Sequence, residues 1–222
     1  MPRGNHFPAR ARHCPPPVAR RPLETGRRAS HIWNRRRRMD LSGSILIAMP
    51  GMGDPRFERS VILICAHGPD GAMGLILNKP SRDLSFAGLL DHLEIATDKA
   101  GRDIRVQFGG PVERGRGFVL HSADYRAAAG TMAVTDDLAM TATRDILEEL
   151  ARGGGPREAL LAMGYSGWGP GQLEGEIARN DWLTATPPEG LIFGRDDGGK
   201  WSAALRAMGI DPLLLSSAAG HA

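Results

Sequence analysis

Two uninterrupted apolar runs, Ser44–Met49 and Val61–His67, constrain this chain more than any other feature. β-branched and aliphatic residues that do not alternate with polar ones are what strands buried on both faces require. Gly68-Pro69-Asp70-Gly71 then supplies turn chemistry before Ala72–Asn78, so the second run and this third one read as a hairpin.

The remaining pattern predicts a mixture of helices and strands. Leu84–Ile95 reads as a helix, with Leu89, Leu90 and Leu93 apolar and Phe86 one turn earlier, and Ile104–Phe108, Gly117–Ser122 and a short stretch near Met132–Val134 read as strands. Thr135 is an expected N-cap because Asp136 and Asp137 follow in the positive first turn, and that helix runs to Arg152, where Gly153-Gly154-Gly155 stops it. Pro156 opens a second helix through Met163. Leu173–Arg179 and Trp201–Met208 are further helices, and strands are expected near Trp182–Thr186 and Leu191–Phe193. Hairpins interleaved with helices argue for an α+β fold over a doubly wound parallel sheet, and no repeat or linker justifies a second domain.

Composition breaks at Met39. Residues 1–38 hold eleven arginines and one acid, Glu24, so this segment is +10 and residues 39–222 are −7 within an overall charge of +3. An Arg- and Pro-rich tail with few apolar residues is expected to be disordered, and it has no apolar h-region of a signal peptide. It reads as a phosphate-binding arm, a transit peptide or, the preferred expectation, sequence upstream of a true start at Met39. The 184 residues from Met39 onward fit one domain. No apolar run approaches the roughly 20 residues a membrane-spanning helix needs, so no membrane partner is expected. Cys65 has no disulfide partner in the folded part, which suits a cytoplasmic location, and in VILIC it reads as a small buried hydrophobe.

A string of spaced motifs joins these elements: GSILIAMPGMGDPRFERSVILICAH, GAMGLILNKP, QFGGPV, GFVLHS, GYSGWGPGQLEGEI and NDWL. In order and spacing they resemble the YqgE/AlgH family of bacterial proteins across residues 41–209. The resemblance implies a complex α+β fold whose sheet bifurcates and curls into a pseudo-barrel flanked by helices. One branch of that family is named as a regulator of alginate biosynthesis, and no established reaction or cofactor comes with it.

Stretches that imitate catalytic motifs each carry a defect. Gly164-Tyr165-Ser166-Gly167-Trp168 has tryptophan where the nucleophile elbow G-x-S-x-G needs its last glycine, so it reads as a structural turn packed by Tyr165 and Trp168. Gly194–Lys200 satisfies G-x-x-x-x-G-K, but Trp201 replaces the Mg²⁺-binding hydroxyl and Asp196 and Asp197 would repel phosphates; a turn is expected. The glycines never form G-x-G-x-x-G after a strand, so no dinucleotide site is expected. Among His67, His92, His121 and Cys65 the one close pair is Cys65-x-His67, which does not complete a metal site. Glu174 and Glu176 fall on opposite sides of a helix, whereas Gln172 and Glu176 share a face, as do Leu173 and Ile177.

The candidate recognition surface is therefore a set of loops at strand ends. Asn78, Lys79 and Pro80 with Gly109, Gly110 and Pro111 are expected to form one rim, and Tyr165 or Gln172 the other, with Lys79 favouring an anionic group. Met49-Pro50 with Asp54 and Phe57 belongs to the same class of loop. The alternative for all of them is that they make the turns of an unusual sheet. Two function classes stand. One is a non-enzymatic cytoplasmic binding or regulatory module without metal or cofactor, recognising a protein or a small anionic ligand. The other is an enzyme or small-ligand binder whose groups converge only in three dimensions. DNA binding is the weaker form of the first, because residues 39–222 are acidic and show no helix-turn-helix.

Overall fold

The apolar runs form the middle of one large sheet in the computed structural model, which describes residues 40–127 and 129–215; the expectations for residues 1–38 lie outside them. The elements in chain order are β1 (Ile45–Ala48), β2 (Val61–Gly68), β3 (Gly71–Ile76), α1 (Phe86–His92), β4 (Val106–Phe108), β5 (Val112–Ser122) and β6 (Thr131–Ala133). They continue with β7 (Leu138–Thr141), α2 (Arg144–Ala151), β8 (Ala159–Trp168), α3 (Gln172–Ala178), β9 (Trp182–Ala185) and α4 (Lys200–Ala207). The nine strands lie in the order β6-β7-β5-β8-β3-β2-β1-β9, with β4 beside β8. Every pairing is antiparallel except β4 with β8, so the fold is the expected mixed helix-and-strand type with a curled, largely antiparallel sheet.

β8 belongs to two branches. Its first half lies between β5 and β4, with Ala162 opposite both Phe118 and Gln107, and its second half pairs with β3, with Ser166 opposite Gly74. The chain leaving β4 is threaded through the fork: the Ile76 amide donates to Gly109 O at 3.0 Å and the Gly109 amide to Met163 O at 2.9 Å. Side chains cannot fit there. A Cβ on Gly109 would lie 2.2 Å from Gly164 O, and one on Gly164, whose φ is +70°, would lie 2.6 Å from Gly110 O.

Both faces of the sheet are covered, as the unalternating runs require. Ile45, Ile47, Leu63, Leu75, Leu120 and Leu160 point into one cluster, closed by Trp201, Ala204 and Leu205 of α4. On the opposite face, α1 and α2 pack Leu90, Ile146 and Leu150 over Val119 and Leu161. α3 packs Leu173 over Leu46, Ile62 and Ile76 on the other branch. At about 25 cal/mol per Å² of buried apolar surface, these three clusters are the main stabilising term.

Three expected elements differ. The helix from Thr135 begins only at Arg144, with Thr143 as N-cap residue, and β7 occupies its first half. Thr135 Oγ1 does accept from the Asp137 and Leu138 amides, at 3.3 and 3.1 Å, but those bonds close the β6–β7 hairpin. An N-cap and this turn make the same local contacts; pairing of Leu138–Thr141 with β5 decides between them. The helix expected from Pro156 to Met163 is instead the start of β8, where Leu160, Leu161 and Ala162 are fully buried. Their helix-favouring composition is overridden by strands on both sides. Leu191–Phe193 is a turn, not a strand, and it still buries Leu191 and Ile192 in the core.

Gly109→Ala and Gly164→Ala each place a methyl group against backbone, and each should destabilise by about 3 kcal/mol or more. Gly115→Ala, which meets nothing within 4 Å, should stay within about 0.5 kcal/mol. Urea midpoints of the three variants check the ordering.

Candidate functional site

The structure brings most of the expected surface residues onto neighbouring backbone, but gives several of them structural duties. Phe108 N donates to Lys79 O at 2.7 Å and Pro80 bridges to Gln107, so the 78–80 segment runs beside β4 and adjoins Gly109. Gly110 lies against the Tyr165 backbone, and Val112, one residue past Pro111, pairs with Tyr165. Asn78 is engaged at both ends of its amide: Oδ1 accepts from Val61 N and Nδ2 donates to Arg59 O, each at 2.8 Å. The Lys79 ammonium is disfavoured first by burial, while Glu58 and Asp54 beside it hold its charge. Those carboxylates oppose the pull on an anion that its sequence position suggested. Gln172 is on α3, where Oε1 accepts from Gly169 N at 3.0 Å and Nε2 donates to Glu176 Oε1 at 2.9 Å. Of the expected residues, Tyr165 alone lines an open trough.

The residues around that rim form a network that sequence reading missed. Lys200 is 3% exposed and donates from Nζ to Leu77 O, Ile192 O and Asp197 Oδ1 at 2.9, 3.2 and 3.0 Å. Asp197 also accepts from Arg105 Nη1 at 2.8 Å and Gln107 Nε2 at 2.9 Å. Burial lowers the Lys200 pKa, opposed by its bond to Asp197. The lysine of the G-x-x-x-x-G-K match therefore ties α4 to β3 and is turned away from any phosphate; Asp196 Oδ1 accepts from Gly199 N as a turn residue does. The motif QFGGPV carried the signal in its first residue, Gln107.

Glu176 gathers a second set of donors. Its Oε2 accepts from Trp168 Nε1 and Trp182 Nε1, both at 2.8 Å, and the two rings meet edge to face at 6.1 Å. Leu173 and Ile177 dock the other side of α3, as the helical spacing predicted. The GYSGW stretch is extended strand rather than the expected turn, and Ser166 is buried with its hydroxyl aimed at Gly109 O, 3.4 Å away.

Other groups with chemical potential are likewise engaged. Burial pushes the Cys65 thiol up to about 12, so it stays protonated and poorly nucleophilic. Cys65 is the bulge residue between Ile64 and Ala66, and His67 is engaged elsewhere: its Nδ1 accepts from Leu41 N while Nε2 faces Glu174 Oε1 at 3.2 Å. Among the described residues no three His, Cys, Asp or Glu side chains are grouped to hold a metal, and no helix is long and apolar enough to cross a membrane. His121 ends a directed chain in which Thr131 and Thr141 hydroxyls lead to Nε2, at 2.8 and 2.9 Å, and Nδ1 donates to Ser122 O at 2.8 Å. Burial lowers its pKa, which keeps the ring neutral as that chain requires.

The open trough lies between the tip of the β2–β3 hairpin and the second half of β8, with a volume of about 630 Å³. Met73, Ala72, Val112, Tyr165 and Trp168 make its apolar walls, and Gly68, Gly71 and Gly167 leave backbone exposed along it. Tyr165 stands edge to face with Phe118 at 5.7 Å, which fixes its ring. Val112 is 36% exposed, one of the few large apolar side chains on the described surface.

Residues 45–213 match the AlgH-like family model, DUF179. A UPF0301 protein of Cereibacter sphaeroides (strain ATCC 17029) is 68% identical over 83% of this chain and 100% of its own length. One from Paracoccus denitrificans is 59% identical over 82% of this chain and 97% of its own. The solution structure of the AlgH protein from Pseudomonas aeruginosa is similar with a TM-score of 0.68 at 37% identity, covering 83% of this chain and 97% of that one. A Corynebacterium diphtheriae crystal structure shares the fold with a TM-score of 0.60 at 23% identity, over 79% of this chain and 89% of its own.

Two outcomes test these assignments. The unfolded state protonates His121 near 6.5 and the folded state only at lower pH, so the stability this group contributes is complete above 6.5 and falls as pH drops towards the folded value. Urea titrations between pH 5 and 7 should show that slope, and His121→Gln should remove its share. Trp168→Ala should cost about 3–5 kcal/mol through lost packing and an indole missing from Glu176, whereas Ser166→Ala should cost less than about 1 kcal/mol. Thermal melts of the two variants separate them.

Proposed function

This chain belongs to the AlgH-like family, and from that premise we propose that it is a non-enzymatic binding module that docks an apolar segment of a partner protein in the trough beside Tyr165. The trough itself carries this reading: fixed aromatic and aliphatic walls, exposed glycine backbone and a half-exposed Val112 on an otherwise well-covered sheet. Its form supports recognition of an extended segment, with Tyr165 and Met73 as the apolar anchors and backbone groups beside the glycines as hydrogen-bonding partners. The engagement of Asn78, Gln172, Ser166 and Lys200 with the protein's own groups supports the choice of binding over catalysis, because each is held by partners it would have to leave. A regulatory role follows as the use of such docking, with control exercised through the partner.

Photo-crosslinking from position 165 in native lysate, followed by mass spectrometry, tests the reading. A single dominant crosslinked protein is expected, and Val112→Asp should reduce its yield more than tenfold while leaving the melting temperature in place. Crosslinks spread over many proteins, or a yield unchanged by Val112→Asp, would show that the trough is not the docking site.

A further inference from the structure

A second apolar patch is left uncovered on the described surface. Its members are Met208, Leu213 and Leu214, which follow α4 and line no part of the trough, and with Val112 they are the large apolar side chains exposed among the described residues. Leu213 is 92% and Leu214 80% exposed. A single exposed leucine is ordinary, whereas several large apolar groups in one short stretch make a patch that wants a cover. The turn that carries the leucines is built to present them. Asp211 Oδ1 accepts from Leu213 N and Asp211 O from Leu214 N, both at 3.0 Å, while Ile210 before the turn and Leu215 at its end pack against the core. With the backbone already set, less ordering entropy is lost when the leucines dock.

Charge falls in the same pattern. Arg206 is exposed in the last turn of α4, and Asp70 is exposed at the hairpin tip, where it lines the trough. Neither makes an ion pair among the described residues. One chain therefore carries an open apolar trough with a carboxylate at its end and an outward apolar turn with a cation beside it. It does not join them itself, since the leucines stay exposed.

We propose that the trough takes the Met208–Leu214 turn of a second copy of this chain, with the leucines against Tyr165, Met73 and Val112 and Arg206 facing Asp70. The proposal rests on the docking reading of the trough and names its partner. Because each copy has both surfaces, docking is reciprocal about a two-fold axis and each contact occurs twice.

Sedimentation equilibrium of the full chain between about 1 and 200 μM tests this. The largest species should be a dimer that dissociates on dilution. Leu213→Ser/Leu214→Ser and Val112→Asp, each altered only at exposed positions, should each weaken association about tenfold or more. An equimolar mixture of those two variants should associate more tightly than either alone, because it restores one of the two contacts. Asp70→Lys and Arg206→Glu should each weaken the dimer, and both changes in one chain should recover it. A chain that is monomeric throughout, a dimer indifferent to Leu213→Ser/Leu214→Ser, or a charge-exchanged chain no tighter than its single variants would overturn the proposal. Crosslinks from position 165 separate its failure from that of the docking reading. A monomer crosslinked to one other protein removes the second copy as occupant and leaves docking in place; a monomer crosslinked to its own residues 206–215 shows cover within one chain; a monomer crosslinked to many proteins ends both readings.

Discussion

Gly109, Gly110 and Gly164 meet backbone to backbone, and the two branches of the sheet diverge from that contact. A chain that must pass between β3 and β8 can do so only where no Cβ intervenes, because the spaces are already within 3 Å of neighbouring carbonyls. β8 then serves β5 and β4 with one half and β3 with the other. The same crossing lays the 78–80 segment beside β4 and leaves Tyr165 facing the trough. The loops that looked like a recognition surface in sequence are in large part the joint of the sheet.

The buried charges beside the joint have a related role. Lys200, Asp197, Arg105 and Gln107 link α4, β3 and the segment entering the fork. Replacing such a cluster by apolar groups is often neutral for stability, but removing one member leaves the others uncompensated in a region of low polarity. Its effect here is directional: Lys200 reaches Leu77 O only if α4 seats in one register against the end of β3. Glu176 does the same for α3, since one carboxylate oxygen reaches both indoles in a single placement of the helix.

How much could be read in the sequence depended on where the deciding contacts lie. β1, β2 and β3 were legible because their apolar runs and the Gly68–Gly71 turn are local signals, and α1, α3 and α4 because their periodicity is. β7 and the start of β8 were not, since Thr135 offers a cap that a hairpin turn also uses and Ala159–Met163 has helix-favouring composition. Both are strands because of partners 16 to 46 residues away. For the site, strand ends suggested that residues 78–80 would lie near Gly109–Pro111, and 78–80 runs beside β4, which leads into Gly109; the engagement of Asn78 with Arg59 and Val61 was not legible, because a side chain's partner across a loop leaves no pattern. Val112 was read only as part of a loop, since its pairing with Tyr165, set apart from the rest of β5 by a register break before Gly117, leaves no local pattern.

The pairing of β1 with β9 joins Ile45–Ala48 to Trp182–Ala185, across most of the described chain. At 5–20 residues per second, the ribosome needs roughly 7–28 s to deliver β9 after β1 has emerged. Throughout that interval β1 is an unpaired edge with apolar residues on both faces, the kind of segment that recruits other chains. In the growing chain the free edge of β1 is therefore open to pairing with other strands until β9 arrives, so the order in which the strands are made sets how long that edge stays unsatisfied.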